Sequence, residues 1–322
     1  MKVLVTGCAG FIGYHLVNRL ILSKYTVVGI DNINNYYDIR LKKDRIKKLK
    51  ENKKFIFYKV DLKNYKKINQ IIKNHRIKYI IHLAAQAGVR YSIENPKSYF
   101  DNNLMGFFNI LELSKLNKIQ HLIFASTSSV YGNSKKFPTK ENTNTDFPLS
   151  FYAATKKSNE VMAHSYSYIY KIPMTALRFF TVYGPFGRPD MALYKFTKNI
   201  INNKKIELFN SGNHQRDFTY IDDVVEGIFS LILKPSKNKI PFNIFNIGNS
   251  NPKKLLDYLK HIEVLLNKKA KIKKMPLQVG DVVKSHSDIS SLKKFTGYKS
   301  KTNIEKGIGK FIEWYKDYYK VK

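Results

Sequence analysis

The sequence predicts an α/β fold built on a parallel sheet with helices on both faces. Two observations carry this. The first half alternates short β-branched apolar runs with longer amphipathic segments: KVLVT, TVVGI, FIFYKV, YIIHLA and HLIFAS are the runs. These runs are apolar throughout rather than alternating, which fits strands buried on both faces. PMTALRF, 173–179, reads as one more strand, and NIFNIG, 243–248, as a late strand returning to the same sheet. Beyond Tyr183-Gly184-Pro185 the pattern is irregular and turn-rich, and the remainder, including 251–268, reads as a smaller, mostly helical lobe.

The chain of 322 residues is long enough for one large domain or two smaller ones. No run approaches the roughly 20 apolar residues of a membrane span, and Met1-Lys2 leads directly into a strand with no signal peptide between. The lone cysteine, Cys8, excludes an internal disulfide and fits a cytoplasmic setting. A formal charge of +33 raises the question of nucleic acid or membrane. The lysines lie in short dispersed pairs in a chain also rich in Asn, Ile and Tyr, with no dense basic block beside a nucleic-acid motif. The expectation is a compositional bias and no nucleic-acid partner. The eight histidines show no ligand spacing, so no metal is expected.

Residues 7–13, GCAGFIG, place Gly7, Gly10 and Gly13 between the first strand and the segment FIGYHLVNRL. Glycines there permit a tight turn and close backbone approach to a pyrophosphate. A helix starting at Phe11 and Ile12 would offer free N–H groups and a positive dipole end. The second strand ends in Asp31, where a carboxylate can accept from an adenosine ribose and would repel a 2′-phosphate, which favours NAD over NADP. In SFYAATKKSNE, Tyr152 and Lys156 stand four apart and share a helical face. A phenol of pKa about 10 needs help to act as a base at neutral pH. A nearby ammonium and a cationic nicotinamide would both favour phenolate, allowing proton removal from a sugar hydroxyl while hydride leaves the same carbon.

Strand HLIFA runs into four hydroxyls, Ser126, Thr127, Ser128 and Ser129, with no acid among them. Taken with GxxGxxG, the acid after the second strand and Tyr-x-x-x-Lys, this resembles the extended short-chain dehydrogenase/reductase family over essentially the whole chain. The resemblance implies a Rossmann-type, doubly wound parallel sheet of about seven strands with a smaller C-terminal α/β nucleotide-sugar domain. Expected boundaries are 1–178 plus about 215–250 for the NAD-binding part, and about 179–214 and 251–322 for the sugar part. It implies a catalytic role for Thr127 beside Tyr152 and Lys156. It also implies cofactor contacts from Asn32, Asn35, Asp61, Leu62, Leu83, Ala84, Ala85 and Asn102.

Family dehydratases carry Asp-Glu, and decarboxylases a Glu, where this chain has Ser128 and Ser129. An eliminase without its acid is chemically implausible, which leaves 4-epimerisation. DNINNYYD (31–38), AAQAGVRYS (84–92) and RFFTVYGPFGRPDMA (178–192) look specifically like the UDP-glucuronate 4-epimerases of that family. Their keto intermediate is a β-keto acid that loses carbon dioxide when its carboxylate stands perpendicular to the carbonyl plane. Neutral donors at Ser128, Ser129 and Thr181 could hold it safely, with Arg188 constraining it further. The resemblance places Gln86, Arg90, Met191, Ala192, Phe209, Arg216 and Asp281 around the UDP-sugar, with Arg216 on phosphate and Asp281 near ribose. An Arg216–Asp217 structural pair is the bland alternative. A 4-epimerase of UDP-N-acetylhexosamines or their uronates, and a UDP-glucuronate decarboxylase, remain as rivals. The family commonly forms homodimers through helices that here would span about 98–116 and 152–170, and products of this type feed surface polysaccharide synthesis.

Overall fold

The structure is a computed structural model and describes residues 1–321. The first five sheet strands are β1 (Lys2–Thr6), β2 (Thr26–Asp31), β3 (Phe55–Lys59), β4 (Tyr79–His82) and β5 (His121–Thr127). They are joined through helices α1 (Phe11–Leu22), α2 (Ile39–Lys50), α3 (Tyr65–His75), α4 (Tyr91–Glu94), α5 (Pro96–Tyr99) and α6 (Gly106–Leu116). Helix α7 (Phe151–Tyr170) leads into β6 (Met174–Phe179), and short strands β7 (Thr181–Tyr183), β8 (Lys205–Phe209), β9 (Gln215–Arg216) and β10 (Phe218–Tyr220) follow, with α8 (Ala192–Ile201) between the first two. Helix α9 (Ile221–Leu231) returns the chain to β11 (Phe242–Ile247), and β12 (Lys253–Lys254), α10 (Leu255–Leu266), β13 (Lys271–Met275), α11 (Ser290–Thr296) and α12 (Ile304–Tyr319) complete it.

Seven strands form one parallel sheet in the order β11-β6-β5-β4-β1-β2-β3. The sheet is the doubly wound one expected from the run of apolar strands. Its interior is dry: Val3, Leu4 and Val5 of β1 and Leu122 and Phe124 of β5 have no exposed surface. Strand order reverses between β1 and β4, which opens a crevice at the carboxyl ends of the strands, where ligands bind in such sheets. Thr6 pairs with His82 across that junction, and the Thr6 hydroxyl bonds His82 Nδ1 at 2.8 Å.

The remainder is less helical than the sequence predicts. Pairs β7–β10, β8–β13 and β9–β12 form three two-stranded sheets between the helices. These strands are only two to five residues long, and β13 reads KIKKM, largely exposed. Lysine-rich edge segments lack the apolar signature that marks a buried strand.

The loop after β7 is fastened from both sides. Phe186 is buried against Tyr14 of α1 (ring centroids 4.9 Å) and Trp314 of α12 (4.8 Å). Arg45 of α2, fully buried, donates to Ala9 O (2.7 Å) in the glycine turn and to Phe186 O (2.6 Å).

Candidate active site

The glycine turn is shaped by contacts that exclude side chains. Gly7 has φ +73°, and a Cβ there would stand 2.6 Å from Ala84 N. A Cβ on Gly13 would stand 2.1 Å from Gly7 O, and Gly10 N donates to that same oxygen at 2.9 Å. Phe11 and Ile12 open α1, whose N-terminus has no side-chain cap and no acid in its first turn. Its orphan N–H groups and dipole therefore stay available to an anion. Cys8 lies buried in this turn, and burial followed by the Asp31 charge pushes its thiol pKa well up.

Asp31 ties the second strand to the turn, accepting from Ala9 N (3.1 Å) and Ile33 N (2.8 Å). Burial raises its pKa, against the pull of the Ile33 amide and Lys42. Asn32 donates to Asp61 Oδ2 (3.0 Å), and Asp61 Oδ1 accepts from Lys63 N (2.9 Å), so these two expected cofactor residues are bonded to each other. Leu62 is buried, with its side chain where a Cβ on Gly106 would meet it at 3.0 Å. Asn35 is exposed in the loop. Leu83 N and Ala84 N are held by Thr6 O and its hydroxyl, which sets Leu83, Ala84 and the partly buried Ala85 beside Gly7.

Asn102 lies in a π-helical turn, Phe100–Met105, and gives its amide to Ser98 O (2.7 Å). Its neighbour Asn103, not marked in the sequence, holds the local structure together. It accepts from Gln86 N (2.8 Å) and donates to Gln86 O (3.0 Å) and to Thr155 Oγ1 (3.1 Å) on α7. It thus fastens the loop after β4 to the helix that carries Tyr152 and Lys156. The signal available was the doubled Asn in DNNLMG, of which only the first was taken. Single-turn π segments are frequent at functional sites.

Ser150 caps α7 through Ala153 N (3.2 Å), which starts the helix just before Tyr152. Lys156 is buried, and its ammonium donates to Ala125 O of β5 (2.8 Å). Burial lowers its pKa to about 8, opposed by Glu160. Burial raises the Tyr152 phenol, while the Thr127 hydroxyl and then the Arg188 charge draw it down.

The hydroxyl run divides into three tasks. Ser126 donates to buried Glu160 (2.5 Å), itself gripped twice by Arg178 (2.7 and 2.8 Å). Thr127 ends β5 and caps the 3₁₀ turn Ser128–Tyr131 by accepting from Ser129 N (3.2 Å). Ser128 and Ser129 then line one pocket with Thr181, Arg216 and Asp281. Lys284, missed in the sequence, also lines it, with its ammonium over the Phe137 ring (4.6 Å). Arg216 pairs with Asp281 (3.0 Å) and not with Asp217, whose carboxylate is taken by Ser287, Asn249 N and Ser250 N. Arg90 lies over the Phe209 ring (4.6 Å). Met191 and Ala192 form the uncapped start of α8, and Arg188 pairs with Asp190 (2.5 Å).

A dinucleotide cradle, a half-buried Tyr152 four residues before the buried Lys156, and a separate pocket lined by hydroxyl residues define a dehydrogenase-type site. The model of the NAD dependent epimerase/dehydratase family matches residues 3–248, and the chain belongs to that family. Its cofactor fits the cradle described, since a Cβ at Gly10 would fill the approach at 3.0 Å from Gly7 O and none is present. The chain is 50% identical to Protein CapI of Staphylococcus aureus, across 99% of this chain and all of that one. It is 43% identical to the probable UDP-glucuronate 4-epimerase of Rhizobium meliloti, covering 99% and 98%. Its structure superposes on the UDP-glucuronic acid 4-epimerase of Bacillus cereus, solved in complex with UDP-glucuronic acid and NAD, with a TM-score of 0.93 at 35% identity, covering 99% and 100%.

Proposed function

We propose that this chain is an NAD-dependent UDP-glucuronate 4-epimerase, interconverting UDP-glucuronate and UDP-galacturonate. The observation that carries the reading is the pocket beyond Thr127, lined by Ser128 and Ser129, at the two positions where elimination chemistry would need acids, together with Thr181. When bound, NAD supplies a reversible hydride acceptor at sugar carbon 4. The glycine turn, the α1 N-terminus and Asp31 hold it, helped by Asn32, Asp61, the loop Leu83–Ala85 and Asn102. Tyr152 takes the proton from the carbon-4 hydroxyl. Thr127 polarises that hydroxyl and steadies the phenolate, and Lys156 orients the cofactor side of the site. The keto-sugar then turns over and receives hydride on its other face.

Throughout, the three pocket hydroxyls and Arg188 hold the uronate carboxylate near the carbonyl plane. The C5–C6 bond then cannot align with the carbonyl π system, and carbon dioxide is retained. Arg216 with Asp281 meets the UDP end, with Phe209 and Arg90 beside the base, Gln86 near the sugar, and Met191 and Ala192 at the α8 N-terminus. This division assigns 1–178 and about 215–250 to the cofactor, and about 179–214 and 251–322 to the sugar nucleotide.

A homodimer is part of the reading. Phe100, Met105, Phe108 and Leu116 of one stretch, and Val161, Tyr168 and Ile169 of α7, are exposed apolar side chains on the two segments expected to pair. Sedimentation at two concentrations reads the assembly. Among the described residues no helix is long and apolar enough to cross a membrane. The reading includes a cytoplasmic setting, which the single cysteine fits, and a product of the type that feeds surface polysaccharide synthesis.

Product analysis tests the assignment. Purified protein is given UDP-glucuronate, and separately UDP-N-acetylglucosamine and its uronate, with products resolved by chromatography and proton NMR. UDP-galacturonate without UDP-pentose is expected. A dominant UDP-pentose, or turnover of the N-acetylated sugars alone, refutes it.

A further inference from the structure

The three stretches that set this sequence apart, 31–38, 84–92 and 178–192, meet at one point in the fold. Tyr36, from the loop after β2, donates its hydroxyl to Asp190 Oδ2 at 3.3 Å, across 154 positions of sequence. Asp190 in turn takes Arg188 along one edge, Nε to Oδ1 at 3.0 Å and Nη2 to Oδ2 at 2.5 Å. Tyr36 reaches Asp190 only because Gly88 lies under it. A Cβ at Gly88 would stand 2.7 Å from the Tyr36 oxygen, and Gly88 has φ +110°. Tyr99 fixes that glycine by donating to Gly88 O (2.5 Å) and Ala87 O (3.0 Å), and the Tyr91 ring flanks Tyr36 at 4.9 Å.

We propose that Tyr36 and Asp190 are positioning residues for Arg188, holding its guanidinium so that a uronate carboxylate meets one edge of it and cannot rotate with it. The inference rests on the functional reading above and deepens it. With Nε–H and one Nη2–H held by Asp190, the end-on edge of the guanidinium, Nη1 with the second Nη2–H, is the part without a partner among the described residues. A free arginine fork would grip a carboxylate at two points and follow it as it turned. A guanidinium anchored along its Nε–Nη2 edge by Asp190 stays in place and offers only its end-on edge, while the hydroxyls of Ser128, Ser129 and Thr181 take the other lone pairs. The charge states suit the task. Burial opposes ionisation of Asp190, but the Arg188 guanidinium holds it below the usual carboxylate range. Burial, then the Asp190 charge, pushes the Tyr36 phenol up to about 12, so it stays a neutral donor.

Released, the carboxylate turns perpendicular to the carbonyl plane after carbon 4 has been oxidised by bound NAD. The C5–C6 bond breaks, carbon dioxide departs, and the bonding pair enters the carbonyl as an enolate. Carbon 5 then takes a proton, and return of hydride to carbon 4 gives a UDP-pentose.

The test compares the parent enzyme with Asp190→Asn, Tyr36→Phe and the double variant. Product partition, the affinity for UDP-glucuronate relative to UDP, and NAD content are measured together. Asp190→Asn is expected to make UDP-pentose a detectable product where the parent forms none, and Tyr36→Phe to do the same to a smaller extent. The double variant should add little to Asp190→Asn, because Tyr36 acts through Asp190. UDP affinity and NAD content should be unchanged while UDP-glucuronate affinity moves. An unchanged partition in Asp190→Asn overturns the proposal. So does a joint loss of UDP affinity and NAD, which would mark a purely structural contact. The two failures separate: a parent that leaves UDP-glucuronate untouched refutes the function, whereas a clean parent beside an equally clean Asp190→Asn refutes the positioning role.

Discussion

Asn103 bonds Gln86 at both of its backbone groups, receiving the N–H and donating to the carbonyl, while its amide also reaches Thr155. One side chain therefore closes the joint between the loop after β4 and helix α7. Asn103→Ala leaves those buried groups without partners, at a cost of about 1–3 kcal/mol. A lower midpoint in urea denaturation with an unchanged slope should accompany a fall in kcat. Unchanged stability would show that water or a neighbour replaces the amide.

Tyr152→Phe keeps the ring and removes the only atom proposed to take the proton. Turnover should fall at least about a thousandfold, within the range for a lost general base, while NAD remains associated because the glycine turn is untouched. Chromatographic NAD content and epimerisation rate, measured on the same sample, decide it. Retained activity would move the proton to another group.

Gly13→Ala puts a Cβ 2.1 Å from a backbone oxygen, which no side-chain rotation can relieve. The turn must open, and the expected result is loss of bound NAD together with a depressed thermal midpoint. Normal NAD content in a stable Gly13→Ala protein would contradict the close approach described here.

His82 and His121 are buried, and burial lowers their pKa values from 6.5 to about 3 and about 4. Below pH 6.5 the unfolded chain takes up protons that the folded chain refuses. Their contribution is thus fully present above pH 6.5 and is lost as pH falls toward 4, by up to about 1.4 kcal/mol per pH unit per site. His82→Gln should flatten the acid limb of stability, read by denaturation from pH 7 to pH 4. An equally steep limb would assign the acid sensitivity to carboxylates instead.

The sheet was legible because its strands are apolar on both faces and its turns are glycine-rich, and the order at the β1–β4 junction follows from the winding. The candidate site could be proposed from sequence where chemistry restricts the residue type, at Gly7, Gly13, Asp31, Tyr152 and Lys156. It was not legible where a residue acts through geometry alone. Nothing local distinguishes Asn103 from Asn102, or shows that Arg216 would choose Asp281, 65 positions away, over adjacent Asp217. Lys284 was hidden among many lysines. The short sheets β7–β10, β8–β13 and β9–β12 owe their form to tertiary pairing, which overrides weak local propensity.

Cys8, buried in the glycine turn, is the chain's single thiol. A folded molecule should therefore be silent toward alkylating reagents, and any labelling would time the opening of the turn itself. With no competing sulfur, a cysteine introduced anywhere on the surface could carry a fluorophore at one known address, and the native thiol would serve as an internal clock for cofactor release.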